Sequence, residues 1–338
     1  MSDESSPHPP LVHWRDLVGH QRAIGALRRA VVAGRPHHAY LILGPAGLGK
    51  MTLARAMAGA LLCESRDDGA CGDCPGCSKL RQGMHTAVHS IVPGGRSNTI
   101  QVDQIQELQR ALSFRRLDGR WRIVLVDDAG SMNETAQNKL LKTLEEPPEG
   151  TVLLLCALHP AQMLQTVRSR CQKITLGAVD DARLTEWLTE THGAHAAAAA
   201  AAAAGAQGIP GRALELLDPE TSAERAERLR GLVAALGGDA EAMDGQIRAV
   251  DRDRTGCGDT LVLLQELLRD AMVLASGGAA RRIHPDVDGR VGRLAGLAPT
   301  DYAAWIDRIE IVQEQLTRNV HPGALMEDVL LKITGASA

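Results

Sequence analysis

The chain has 338 residues and a net charge of −4, which leaves room for about two or three domains and excludes a protein coated in positive charge for indiscriminate nucleic-acid binding. Aromatic residues are only 2% of the total, so its cores must be built from Leu, Val, Ile and Ala. No apolar run reaches membrane-spanning length, and Met1 to Pro10 is Ser/Pro-rich and acidic where a signal peptide would need an apolar stretch, so a cytoplasmic protein with reduced thiols, no membrane partner and a disordered arm over 1–13 is expected.

Between Ala39 and Leu176 short apolar runs alternate with helical patterns, the sign of an α/β domain in which helices flank a parallel sheet. Ala39 to Leu43 reads as a buried strand. It runs straight into Gly44-Pro45-Ala46-Gly47-Leu48-Gly49-Lys50-Met51-Thr52, and Lys50 to Leu62 reads as the helix that follows. Strand, glycine loop and helix together make a phosphate-binding loop of the form G-x-x-x-x-G-K-[ST]. Gly44, Gly47 and Gly49 let backbone N–H groups curl round phosphate oxygens at a helix N-terminus, and Lys50 reaches the outer phosphates. The next position should carry a hydroxyl for Mg²⁺, but it is Met51, whose soft thioether does not ligate a hard cation. Thr52 does carry a hydroxyl, about 100° further round the helix. ATP or ADP binding is expected, Mg²⁺ is doubtful, and fast hydrolysis is not expected.

Cys63, Cys71, Cys74 and Cys77 follow that helix with spacing C-x7-C-x2-C-x2-C, and Gly72, Asp73, Pro75 and Gly76 supply turns between them. Four thiolates in so short a loop suit a closed, tetrahedral structural Zn²⁺ site. An iron–sulfur cluster and four unligated thiols are the alternatives. Cys156 and Cys257 read as ordinary buried small residues.

Further on, Ile105, Leu108 and Leu112 share one face of a helix. Arg115, Arg116, Arg120 and Arg122 form either a basic patch or, preferably, solvated charges beside a strand. Ile123-Val124-Leu125-Val126 is another strand, ending in Asp127 and Asp128 as a Walker B motif would. Asp127 fits the residue of the Mg²⁺ shell. Asp128 stands where such ATPases usually have Glu to polarise water, and a misplacement on the order of 1 Å can cost about a hundredfold. The bland alternative is two acids that end a strand. Val152 to Leu155 is the next strand.

After Leu176 the pattern is helical. Ala196 to Ala204 is an unbroken alanine helix with Gly205 as its stop, favoured as low-complexity drift on a surface helix. Gly208-Ile209-Pro210-Gly211-Arg212 is a turn that opens another helix, and Asp218-Pro219 marks a boundary. Helices continue to Ala338, with loops near Gly256 and at Gly277-Gly278.

Several stretches coincide with one family. Trp14-Arg15-Asp16-Leu17-Val18-Gly19-His20 is similar to its N-terminal box near the adenine, and His38-Ala39-Tyr40-Leu41 leads into the phosphate loop as it does there. The four cysteines fall where it carries a zinc module. Asn138 to Pro148 (NKLLKTLEEPP) is close to a hallmark, Ser169-Arg170-Cys171 is its Ser-Arg-Cys motif, and Asn319-Val320-His321-Pro322 with Leu325 and Glu327 is similar to its last helix. On these residues the chain resembles the clamp-loader subunits of bacterial DNA polymerase III, the delta-prime branch most and the gamma/tau branch next, from about Trp14 to the C-terminus.

The resemblance implies an α/β AAA+ P-loop domain over 14–176 with its zinc module at 63–77, a small helical lid over 177–218 and an all-α collar over 219–338. It implies a hetero-pentamer with gamma/tau and delta subunits that opens a sliding clamp with ATP and loads it onto primer-template DNA. It makes Arg170 an arginine finger that acts in trans on a neighbour's ATP, the kind of residue worth about 10³ to 10⁵ in rate in GTPases. It makes Arg212 the lid arginine that touches the γ-phosphate in cis. The chain departs from active members at Cys156-Ala157-Leu158-His159-Pro160, where no hydroxyl is available to sense the γ-phosphate. With Met51 and Asp128 that is three lesions in one site, beside a retained Arg170. The expectation is a stator with little intrinsic ATPase, related to polymerase activity only through its complex. A hydrolysing gamma/tau-like subunit is the alternative.

Overall fold

The computed structural model describes residues 11–65, 69–94, 99–114, 120–277, 283–284, 299–317 and 320–336. In chain order the first part contains α1 (Gln21–Val32), β1 (Ala39–Leu43), α2 (Lys50–Leu62), α3 (Pro75–Arg81), β2 (Val88–Ile91), α4 (Val102–Ser113), β3 (Arg122–Val126), α5 (Glu134–Glu145), β4 (Thr151–Ala157), α6 (Gln165–Arg168) and β5 (Gln172–Thr175). Helices follow: α7 (Asp181–His192), α8 (Ala196–Gly205), α9 (Pro210–Leu217), α10 (Pro219–Leu236), α11 (Ala240–Val250), α12 (Arg254–Ala275), α13 (Pro299–Thr317) and α14 (Pro322–Ala336). Two compact units result, one running to Leu214 and one from Glu215, and the division falls inside α9. No helix among the described residues is long and apolar enough to cross a membrane.

In the first unit the five strands are all parallel, in the order β2-β3-β4-β1-β5. β1, β3 and β4 are buried along their whole length, as expected for parallel strands covered on both faces. Alternation divides their side chains between two layers. Leu41, Leu43, Val124, Val126, Leu153 and Leu155 pack with Ile105, Leu108 and Leu112 of α4 and Leu140 and Leu144 of α5. Tyr40, Ile42, Ile123, Leu125 and Leu154 pack with Ile24 and Leu27 of α1 and Leu53, Met57 and Leu61 of α2. An α/β domain with helices on both faces of a parallel sheet and a phosphate loop after β1, followed among the described residues by helices, is therefore present as the sequence implied.

Local details correct the sequence reading. The alanine helix ends at Gly205 as expected, but the positive-φ turn that follows falls at Gln207 and Gly208 and not at Gly205 itself. Gly208 at φ +77° must be glycine, since a Cβ there would lie 2.6–2.8 Å from Ala178 and Val179. Ala199, Ala202 and Ala203 are buried, so one stripe of the tract packs against α7. Arg122 is neither a patch residue nor a solvated charge. It is 6% exposed, and its guanidinium donates to the carbonyls of Leu112 and Phe114, ending α4. Arg120 lies over the Trp121 ring, while Arg115 and Arg116 are outside the described residues.

The second unit is all helix among its described residues, around Leu232, Leu261, Leu264, Leu268, Ile309, Val312, Met326 and Val329. Asp218 caps α10 by accepting from the Thr221 amide, and Pro219 occupies its first turn. Gly256 is not in a loop: it lies in the first turn of α12, close under the Asp253 carboxylate. Gly277, at φ +61°, follows the end of α12, whereas Gly278 and Asn319 are outside the described residues.

Candidate functional site

The phosphate loop leaves the C-terminal end of β1 and enters α2 with Gly49 as its N-cap in the left-handed region. Gly47 (φ +75°) and Gly49 (φ +84°) take conformations that expose backbone amides at a helix N-terminus, the geometry of an anion cradle. Lys50 Nζ donates to the carbonyls of Gly44 (2.7 Å) and Pro45 (2.8 Å). Burial lowers the Lys50 pKa from its ordinary value, and Cys156, Asp127 and Asp128 nearby act in the opposite sense.

A cavity of about 630 Å³ opens over this loop, and Gly47, Gly49, Lys50, Met51, Thr52, Asp127 and Asp128 all line it. Most of the sequence-derived nucleotide residues therefore meet in one place, whereas Gly44 and Arg212 do not line it. Its remaining walls come from the N-terminal box (Asp16, Leu17, Val18), from Leu158, and from Trp187, Pro210, Gly211 and Leu214. Trp187 was not singled out in the sequence, since nothing in its local pattern ties it to a phosphate loop far earlier in the chain.

Asp128 follows β3 in the left-handed region at φ +48°, and its amide donates to Asp127 Oδ1 at 3.0 Å. Burial and the neighbouring Asp127 raise the Asp128 carboxyl, with Lys50 opposing. Beyond β4 the backbone amides of Leu158 and His159 are held by Gln162 Oε1, and no hydroxyl enters the cavity from this segment. Cys156 is fully buried and burial pushes its thiol up to about 12, in keeping with a packing role; Cys257 is likewise buried.

Arg212 sits in the first turn of α9. That turn is fastened to the phosphate loop by the Gly211 amide, which donates to the Gly47 carbonyl at 2.9 Å. Arg212 itself does not line the cavity, whereas its neighbours Gly211 and Leu214 do.

Arg170 is elsewhere. β1 and β5 are parallel with Tyr40 opposite Gln172, so Arg170 stands level with His38, at the N-terminal end of the sheet. The phosphate loop leaves the other end, about 20 Å away along the strand axis. The Arg170 guanidinium donates to the Thr166 carbonyl (2.9 Å) and pairs with Glu145 (2.7 Å).

The four cysteines converge. Cys63 follows the last turn of α2, Cys74 caps α3 and Cys77 lies within it, and the four sulfurs lie within 4.8 Å of one another. Tetrahedral thiolate ligation at about 2.3 Å requires sulfurs roughly 3.8 Å apart. The Cys63–Cys74 and Cys71–Cys77 separations are both 4.0 Å, so the set fits a metal ion. Backbone amides also point at the sulfurs: Cys71 N to Cys63, Cys74 N to Cys71, and Cys77 N and Glu64 N to Cys74, at 3.3–3.4 Å. Such donors favour thiolate. The Asp73 and Cys74 amides pull Cys71 down to about 6, while burial pushes Cys77 up to about 12. The loop that carries the cluster also meets the segment just before the N-terminal box, where His13 Nδ1 lies 2.9 Å from the Ala70 carbonyl.

Comparison with known proteins identifies the family. Residues 19–180 match a family described as DNA polymerase III, delta subunit. The chain is 32% identical over 306 residues to DNA polymerase III subunit delta' of Escherichia coli strain K12, covering 89% of this chain and 90% of that protein. It is 41% identical over 153 residues to the same subunit of Pseudomonas aeruginosa, covering 45% of this chain and 46% of that protein. It is 34% identical over 173 residues to DNA polymerase III subunit tau of Escherichia coli, covering 49% of this chain but only 26% of that protein. With identity extending through nearly the full length of both partners in the first of these pairs, the chain belongs to the DNA polymerase III subunit delta-prime family.

Proposed function

We propose that the chain is a stator of a bacterial clamp loader: a subunit with little ATPase of its own that lends Arg170 to the ATP site of a neighbour. The reading has it work in a hetero-pentamer with gamma/tau and delta subunits that loads a sliding clamp onto primed DNA in the cytoplasm. The observation that carries it is the separation of Arg170 from the chain's own cavity. At the opposite end of the sheet its guanidinium is out of reach of that cavity, which supports a role toward a nucleotide held by another chain. The defective Mg²⁺ position at Met51 and the hydroxyl-free wall at Leu158 support the other half of the reading.

In this account the cavity binds ATP or ADP on Gly44, Gly47, Gly49 and Lys50. Asp127 and Asp128 form a degenerate Walker B pair, and Arg212, next to the Gly211 that lines the cavity, is the lid arginine that touches the γ-phosphate in cis. The ion at Cys63, Cys71, Cys74 and Cys77 is zinc, whose role is to tie a loop. Residues 14–176 act as the AAA+ module, 177–218 as its lid and 219–338 as the oligomerising collar.

Thr52 also lines the cavity, and this favours a second reading as a hydrolysing gamma/tau-like subunit in which Thr52 replaces the missing ligand. Steady-state ATPase of the purified chain separates the two. Turnover typical of AAA+ subunits, lost in Lys50→Ala, would reject the stator. In the reconstituted loader, Arg170→Ala should depress clamp-stimulated ATPase without unfolding this subunit.

A further inference from the structure

We infer that Glu145 is a positioning residue for Arg170, fixing its guanidinium at the subunit surface before any neighbour arrives. The inference rests on the proposed trans role of Arg170 and adds a residue to it.

The pair joins two segments that the core already holds still. Glu145 is the last residue of α5, and its predecessor Leu144 is 2% exposed. Arg170 lies just beyond α6, flanked by Cys171 at 9% exposed, with Val167 of α6 at 0%. Leu144, Val167 and Cys171 belong to one hydrophobic cluster. Gln137 of α5 adds a polar tie: its Nε2 donates to the Gln162 carbonyl (2.9 Å) and its Oε1 accepts from the Leu164 amide (2.7 Å). The backbones carrying Glu145 and Arg170 are therefore set before the side chains meet.

The side-chain geometry follows. Nη2 of Arg170 reaches Glu145 Oε1 at 2.7 Å, and Nη1 donates to the Thr166 carbonyl at 2.9 Å. Two directions are thus fixed for a planar group that carries five N–H donors, and Arg170 remains 36% exposed. A free arginine has many rotamers and loses that freedom on docking; one held by two partners has less to lose. Solvent screens a pair this exposed, so it adds little to folding stability. Its consequence is orientation, and orientation is where a reacting charge is most sensitive.

The test uses the full chain and the reconstituted loader. In the isolated chain, phenylglyoxal modification of Arg170, followed by peptide mass spectrometry, should quicken about fivefold in Glu145→Ala, the upper range for losing an exposed ion pair. Glu145→Gln, which keeps an acceptor oxygen at the same reach, should recover much of the protection. Unchanged labelling in Glu145→Ala would overturn the inference whatever Arg170 does in an assembly. In the loader, Glu145→Ala should lower kcat by about the same factor with KM for ATP unchanged. Glu145→Gln should again recover part of it, and Glu145→Ala should have no further effect in an Arg170→Ala background. Additive losses in that double variant would overturn the positioning role. If Arg170→Ala leaves kcat intact while labelling still responds to Glu145→Ala, the trans-arginine reading falls and the pair is structural only.

Discussion

The amide of Gly211 donates to the carbonyl oxygen of Gly47 at 2.9 Å, and the two glycine backbones are in contact. A Cβ at Gly211 would lie 3.0 Å from the Gly47 Cα and 3.2 Å from its oxygen, and one at Gly47 would meet Ile209 at 2.7 Å. The first turn of α9 is thus seated directly on the phosphate loop. Two residues without side chains make that approach possible.

Gly211→Val should force the two segments apart. Overpacking of this kind costs about 1–3 kcal/mol, so the melting midpoint should fall, and binding of a fluorescent ADP analogue should weaken with it. Wild-type values for both would mean that this contact is not kept in solution.

Met51→Thr would place a hydroxyl directly after Lys50. Nucleotide binding by the wild-type chain should be indifferent to Mg²⁺, since a thioether offers the ion nothing. In the variant Mg²⁺ should tighten binding by about tenfold, or 1.4 kcal/mol. Hydrolysis should stay slow, because Asp128 and the apolar wall at Leu158 remain. Titration with and without chelator, together with phosphate release, checks both halves. Strong Mg²⁺ dependence in the wild-type chain would show that the ion is held without a hydroxyl at position 51, by Thr52 or Asp127.

What could be read from the residues alone follows from where each element lies in the sheet. Ala39 to Leu43 and Lys50 to Leu62 were legible to the residue, because a central strand is apolar on both faces and its loop has a fixed glycine pattern. The edge strands were not. Val88-His89-Ser90-Ile91 and Gln172-Lys173-Ile174-Thr175 are partly exposed and carry polar residues that give no apolar run. The cysteine cluster was legible because its ligands are local. Glu145, Trp187 and the capping role of Arg122 were not, because each depends on a partner distant in sequence.

Purified chain should contain one equivalent of zinc by elemental analysis; iron in its place would refute the assignment. Cys74→Ser isolates the contribution of the metal. Cys74 caps α3 by accepting from the Cys77 amide, and a serine hydroxyl keeps that role while removing a thiolate. A loss of about 2 kcal/mol lowers the midpoint by roughly 4–8 °C in a unit of this size, and chelation of the wild-type chain should produce a similar fall. A variant that melts with the wild type would mean that the loop holds its shape without the ion.

Acid should destabilise the first unit before its carboxylates titrate. Burial lowers the pKa of His20, His38 and His89 from the ordinary 6.5; His37 adds to the effect at His38 and Arg122 at His89, while the Leu48 carbonyl opposes it at His20. Above 6.5 these rings are neutral in both folded and unfolded chains and leave stability unaffected. As pH falls through 6.5 the unfolded chain takes up protons first, so stability declines until the lowered folded values are reached. The melting midpoint should therefore drop between pH 7.5 and 5.5. His89→Gln, which removes one of the three groups, should flatten that decline while leaving the midpoint at pH 8 nearly unchanged. A variant with the full wild-type slope would show that His89 is not held neutral in the folded chain.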